Sequence, residues 1–153
     1  CFLASPVKYV NRIAQSVVDT VWMAPALNAE IACTCITSGA ADEIIARKRA
    51  ELRRRAALMA EKLSEYSVRY APDSMFAWLA LPDYWSGEDF EKTAHDYGVN
   101  VISSGRFSIG GTVPPNGVRI SLSGADSLAE FGTGLDILLR ILSREIGPAG
   151  GVI

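Results

Sequence analysis

Histidine and cysteine are nearly absent from this sequence: there is one His, His95, and there are three Cys, at positions 1, 33 and 35. A structural zinc site takes four nitrogen, sulfur or carboxylate ligands at short recurrent spacings, and this chain has too few of them. Three cysteines make no disulfide framework, and Cys33 and Cys35 lie two apart in a helical pattern, with side chains about 200° apart. They read as buried free thiols of a reducing cytoplasm. A surplus of charge is missing too, since 15 Lys/Arg against 17 Asp/Glu leave a net −2. Nothing global therefore draws the chain to nucleic acid or an acidic membrane surface. No apolar run approaches the ~20 residues that cross a bilayer, and no basic-then-apolar leader is present. The expected location is cytoplasmic, with no membrane partner.

A starting Met is also lacking. The chain opens on "CFLASP", an apolar, strand-like run over residues 1–5. It reads as a piece of a longer protein, ending in a flexible tail over 148–153. What remains is an ordinary globular composition, 49% hydrophobic and 21% charged over 153 residues. That length suggests one domain able to bury about 70% of its unfolded surface.

Pro6 opens a helix that carries Val7, Val10, Ala14, Val17 and Val21 on one face and runs to about Thr20. Residues 26–37 form a second, mostly apolar helix stopped by Ser38-Gly39. Residues 41–66 form a long third helix with a buried stripe of Ile45, Leu52, Ala56, Met59 and Leu63. Seven Lys/Arg lie on it, but Asp42, Glu43, Glu51, Glu61 and Glu65 nearly balance them. It reads as a solvated face laced with ion pairs, Glu51–Arg55 among them, rather than as a nucleic-acid surface. "YSVRYAP" and "MFAWLALP" are strands around the turn Pro72-Asp73-Ser74. "SGEDFEKTAHDYG" is a short helix burying Phe90, Ala94 and Tyr97 and closed by Gly98. "VNVIS" and "VRISLS" are strands flanking a Gly/Pro-rich loop of about fourteen residues, long enough to be functional. Ser127-Leu-Ala-Glu130 is a capping box for a last helix that buries Leu128, Phe131, Leu135, Leu138 and Leu142. Gly132 and Gly134 suggest close packing against its first turns. The fold class is α+β: a small, largely antiparallel sheet packed by helices and preceded by a helical segment.

Few constellations offer chemistry. His95 lies on or beside a polar helix face, with no partners for a triad or a metal. Ser5-Pro-Val-Lys8 has a Ser-x-x-Lys spacing, but Lys8 falls in an exposed first turn and the supporting Ser-Asp-Asn and Lys-Thr-Gly signatures are missing. The glycines of "SSGRFSIGGTVPPNG" lack the strand–glycine–helix context of a dinucleotide site. That leaves Arg119, in the middle of "NGVRISLSG". It is either an edge-strand Arg reaching water or, because its neighbours suggest a strand buried on both sides, a buried cation that needs an anion. Arg is the side chain best shaped to grip a carboxylate with two parallel hydrogen bonds. Such a site would lie at the sheet's open end near the long loop.

"NGVRISLS" followed by an acidic-capped amphipathic helix resembles the C-terminal part of fold-type-I pyridoxal-phosphate-dependent aminotransferases. It is most similar to the class I/II group and to the aminotransferase-like half of MocR-type GntR regulators. "CFLASP" looks like the strand after the family's cofactor-lysine loop. "WMAPALNAEIACTCITSGAADEIIARKRAELRRRAAL" resembles the helical pair that follows, and "GVNVISSGRF" resembles Gly-Val-x-Val-x-x-Gly-x-x-Phe. One departure is that the long helix has Glu43 or Ile44 and Leu52 where MocR-type sequences often have His and Tyr. The resemblance implies that Arg119 grips a substrate α-carboxylate. It further implies that the Schiff-base Lys, the carboxylate facing the pyridine nitrogen and most phosphate ligands lie upstream. None of Lys8, Lys48, Lys62 and Lys92 stands where that Lys would be. The chemistry so implied is amino-group exchange, with the cofactor as electron sink and Arg119 fixing the substrate.

On this basis residues 1–38 would pack on a missing large domain, 39–147 would be the aminotransferase small domain, and 148–153 a tail. The chain itself would bind no pyridoxal phosphate, have no catalytic or metal-ligating residue and be inactive alone. The full-length protein would take an amino acid or 2-oxo acid, use pyridoxal phosphate and form a homodimer. Two alternatives remain: the effector- or cofactor-sensing part of a transcription regulator that meets DNA only through a missing N-terminal domain, and a non-catalytic α+β interaction module.

Overall fold

In the computed structural model, residues 4–22, 25–111 and 113–147 are described. The strand expected over residues 1–5 falls mainly outside them, as do Cys1 and the tail. The chain divides into two compact units, Cys1–Ala46 and Arg47–Ile153.

The first unit is helical. Helix α1 spans Val7–Val21, with Pro6 at its N-cap, and α2 spans Ala26–Thr37, with Pro25 at its N-cap. A fixed φ near −65° and a missing N–H suit proline to a helix entrance, where the first amides have no partner anyway. Gly39, at φ 79°, turns the chain out of α2, a conformation glycine adopts without the Cβ clash. No residue of α1 or α2 is buried. Val7, Val21, Leu27 and Ile36 are among their most exposed apolar side chains. Cys33 and Cys35 are free thiols, Cys33 exposed and Cys35 half-buried. The expected burial of both is thus corrected, because nothing described covers α2.

The second unit holds the core. Helix α3, Ala40–Lys62, runs into it, followed by β1 (Val68–Arg69), β2 (Phe76–Ala80), α4 (Gly87–Asp96), β3 (Ile102–Ser103), a 3-10 turn (Ser104–Phe107), β4 (Gly117–Ser121) and α5 (Leu128–Leu142). The four strands form one sheet of order β1-β2-β4-β3, antiparallel at every pairing. Burial alternates along β2 and β4 with the two-residue period of a pleated strand. Ala77 and Leu79 with Val118 and Ile120 face the core, where they meet Met59, Leu63, Phe90, Leu135, Leu138 and Ile141. Gly117 belongs to this tight pairing. A Cβ there would stand 2.7 Å from the Leu79 carbonyl oxygen, so no larger residue fits without moving backbone.

The buried stripes of α3, α4 and α5 hold with local corrections. Ile45 is 45% exposed and Leu128 39%, both at helix beginnings where the core does not reach. Tyr97 is exposed, and Thr93 takes its expected place beside Phe90 and Ala94. Ile141 joins the α5 stripe. Ser127 accepts from the Glu130 amide as the capping box requires, while the Glu130 carboxylate reaches one residue further back, to the Asp126 amide at 2.8 Å. The expected packing at the α5 glycines is found at the buried Gly132 and not at Gly134. A Cβ on Gly132 would meet Leu58 at an ordinary 3.6 Å, and one on Gly134 would meet open space.

Outside the core, α3 is tied to the turn before β2. Arg53 Nε donates to Asp73 Oδ1 at 2.7 Å, and Arg49 lies 4.0 Å from the same carboxylate. The Arg53 hydrogen bond, with the charges of Arg53 and Arg49, holds the Asp73 carboxyl below its ordinary range. A depressed acid contributes stability above its unfolded pKa and loses it as pH falls through the folded value. Asp73→Asn should therefore lower stability by one constant amount at neutral and alkaline pH and flatten the fall on the acid side. Denaturant midpoints at neutral pH and near pH 3 check this, and an unchanged acid slope would exclude the pair as a contributor.

Candidate functional site

Arg119 lies on the sheet face that carries no core. In register, Arg69, Trp78, Arg119 and Ile102 form one cross-strand row over all four strands, with Phe76 diagonal to Arg119 on β2. The expectation of a strand buried on both sides is corrected here: β4 is covered on one face, and Arg119 is half-buried on the other. Its charge is accommodated by aromatic rings. The Arg119 guanidinium carbon lies 4.2 Å from the Phe76 ring centroid and 4.7 Å from that of Phe107. Cations over ring faces are attracted by the ring quadrupole, and arginine adds stacking of its own plane. Among the described residues no carboxylate pairs with Arg119.

Phe107 arrives from the long loop, and the loop is braced to present it. Ser103 Oγ accepts from the Gly105 amide at 3.3 Å, and Ser104 Oγ donates to the Pro115 carbonyl at 2.7 Å, clasping the loop's two ends. Glu91 of α4 accepts from the Ser103 amide at 2.9 Å and pairs with Arg106 at 2.8 Å. Trp78 then meets Phe107 edge-on, with centroids 5.3 Å apart. Trp78 and Phe107 also wall a neighbouring cleft of about 510 Å³ that reaches Arg69, Ile109 and Pro114. Its lining is mostly apolar, the usual character of a small-molecule pocket.

His95 is exposed, its Nδ1 2.9 Å from Asn100 Oδ1. Ser5 Oγ bonds to the neighbouring Pro6 carbonyl, and the Lys8 ammonium sits over the Tyr9 ring, so the Ser-x-x-Lys spacing makes no pair. No cluster of His, Cys, Asp and Glu among the described residues could hold a metal ion. No described helix is long and apolar enough to cross a membrane.

One arginine was misread from sequence. Arg55 is 6% exposed rather than on a solvated face. Its Nε meets Glu51 at 2.8 Å, and its Nη1 donates to the carbonyls of Leu122 and Ala125 at 3.0 and 2.9 Å. The signal available was its place one residue before Ala56 on the buried stripe.

No family model matches the chain. It is 30% identical over 141 residues to a Bacillus subtilis protein named as an uncharacterized HTH-type transcriptional regulator, YdeF, matching 92% of this chain and 30% of that protein. Solved structures share its fold. The α-aminoadipate aminotransferase LysN of Thermus thermophilus, complexed with N-(5'-phosphopyridoxyl)-L-leucine, superposes with a TM-score of 0.73 at 23% identity, over 92% of this chain and 37% of that one. The kynurenine aminotransferase of Pyrococcus horikoshii gives 0.72 at 19%, over 92% and 35%. An archaeal alanine:glyoxylate aminotransferase gives 0.71 at 16%, over 93% and 36%. The chain thus has an aminotransferase-like α+β fold and spans about a third of the length of these proteins. The cleft beside Trp78 and the cross-strand row have no lysine or carboxylate among their described residues, while a second cleft of about 480 Å³, which Arg119 lines with Gly124, Ala125 and Phe131, includes the Glu130 carboxylate and no lysine.

Proposed function

We propose that this chain supplies the carboxylate grip of an aminotransferase-like protein, with Arg119 binding the α-carboxylate of an amino acid or 2-oxo acid. The observation that carries this is a half-buried guanidinium on the open sheet face, flanked by two rings and paired with no described carboxylate. Among the described residues no hydrogen-bond acceptor is seen for its in-plane N–H donors, and their fork suits the two parallel bonds a carboxylate accepts. Pyridoxal phosphate and the lysine that would hold it belong, in this reading, to the rest of a longer, homodimeric protein. The first 38 residues would pack on that remainder, which accounts for the apolar side chains exposed along α1 and α2. Residues 39–147 would form the small domain.

A second reading has its own support in the 30% identity to a protein named as an HTH-type regulator. In a regulator the same grip would sense an amino acid or the cofactor, and DNA would be met through another domain. Both readings expect the full-length protein to turn yellow with pyridoxal phosphate and this chain alone to stay colourless. A stable yellow adduct on one lysine of this chain would overturn the division of labour. In the full-length protein, amino-acid turnover selects the enzyme, and amino-acid-dependent DNA binding without turnover selects the regulator.

A further inference from the structure

We infer that Phe107 is a positioning residue for Arg119, and that the Phe76–Arg119–Phe107 arrangement makes the site selective for planar carboxylates over tetrahedral oxyanions. This role rests on the proposed binding of a carboxylate by Arg119 and deepens it. All five N–H donors of a guanidinium lie in its plane. With ring centroids 4.2 and 4.7 Å from the guanidinium carbon, those donors are directed outward from the group's edge. A carboxylate is planar and meets that edge with two coplanar oxygens. A phosphonate or sulfonate carries a third oxygen out of that plane, an arrangement that two rings this close to the guanidinium carbon would disfavour. The rings also hold the arginine before any ligand arrives, so less side-chain freedom is lost on binding.

Phe76 and Phe107 contribute differently. Phe76 is part of β2 and follows the sheet. Phe107 comes from the 3-10 turn, fastened through Ser103, Ser104 and the Glu91–Arg106 pair, and is backed by Trp78. It is 44% exposed, so shortening it leaves the core intact while freeing one side of the guanidinium.

The test uses Phe107→Leu and Phe107→Tyr, with L-leucine and its aminophosphonate analogue as probes in titration calorimetry on the full-length protein. Phe107→Leu should weaken leucine binding about 5-fold, the scale of one cation–π contact, while the phosphonate is unaffected, so that discrimination narrows. Phe107→Tyr should keep the wild-type preference. In this chain alone, the ring-current shift of the Arg119 Nε–H resonance should change by the Phe107 contribution in Phe107→Leu, leaving that of Phe76, and should stay close to wild type in Phe107→Tyr. Leucine binding unaltered in Phe107→Leu, or equal weakening for both probes, would overturn the positioning role while leaving Arg119's role standing. If Arg119→Ala leaves leucine affinity unchanged, the carboxylate assignment itself falls, and this role with it.

Discussion

Arg55→Ala is expected to destabilise the fold by about 2–4 kcal/mol, through groups that a helical wheel of α3 does not display. The Arg55 guanidinium is the hydrogen-bond partner of the Leu122 and Ala125 carbonyls, at the end of β4 and in the turn before α5. Truncation removes that partner from acceptors beside the core, and each buried carbonyl left unsatisfied costs about 1–3 kcal/mol. The Glu51 pair adds little, because Glu51 is 39% exposed and such pairs are worth about 0–1 kcal/mol. Arg55→Met separates packing from hydrogen bonding, since Met keeps the length of the stem and supplies no donor. Urea unfolding of the three proteins checks the order: Met should fall close to Ala, and a Met variant as stable as wild type would show that the two carbonyls contribute nothing.

Arg119→Ala should instead leave stability almost unchanged and weaken carboxylate binding in the full-length protein by at least ~2 kcal/mol, about 30-fold. Arg119 sits on the open face, so its removal opens no core cavity. On the proposed role, what would be lost is a charge-assisted, two-bond contact to the carboxylate. L-leucine compared with its decarboxylated amine isolates the effect. Wild type should prefer the amino acid, and the variant should lose that preference by weakening the amino acid alone. Arg119→Lys should recover part of the affinity, since an ammonium keeps the charge and loses the planar fork. Equal affinity of wild type and Arg119→Ala for leucine would end the assignment.

Much of this fold was legible because its helices announce their ends. Pro6 and Pro25 before α1 and α2, Gly39 after α2, and Ser86 and Ser127 before α4 and α5 are local signals that depend on no distant residue. The sheet was legible in order but not in extent. β1 and β3 are two residues each, far shorter than the apolar runs containing them, because pairing at an edge depends on the partner as well as on propensity. Arg119 stood out for the wrong reason, as a cation in a doubly buried strand. The alternation Ala77, Leu79, Leu81 opposite Val118, Ile120, Leu122 already said that one face was free. The rings that settle its charge come from Phe76 and Phe107, at separations no periodicity reports. Arg55 was hidden by its favourable i,i+4 partner, which explained it before its two carbonyls could be suspected.

The strand carrying Arg119 lies inside the sheet, between β2 and β3. Its partners on β2 are distant in sequence, as in Leu79 with Val118 and Phe76 with Ser121. Such non-local ladders close late in folding and open only with much of the domain. The proposed grip would therefore be as long-lived as the domain itself. A chain arrested before β4 docks would have its helices and no Arg119 site, so ligand binding of the kind proposed would double as a check that folding has finished.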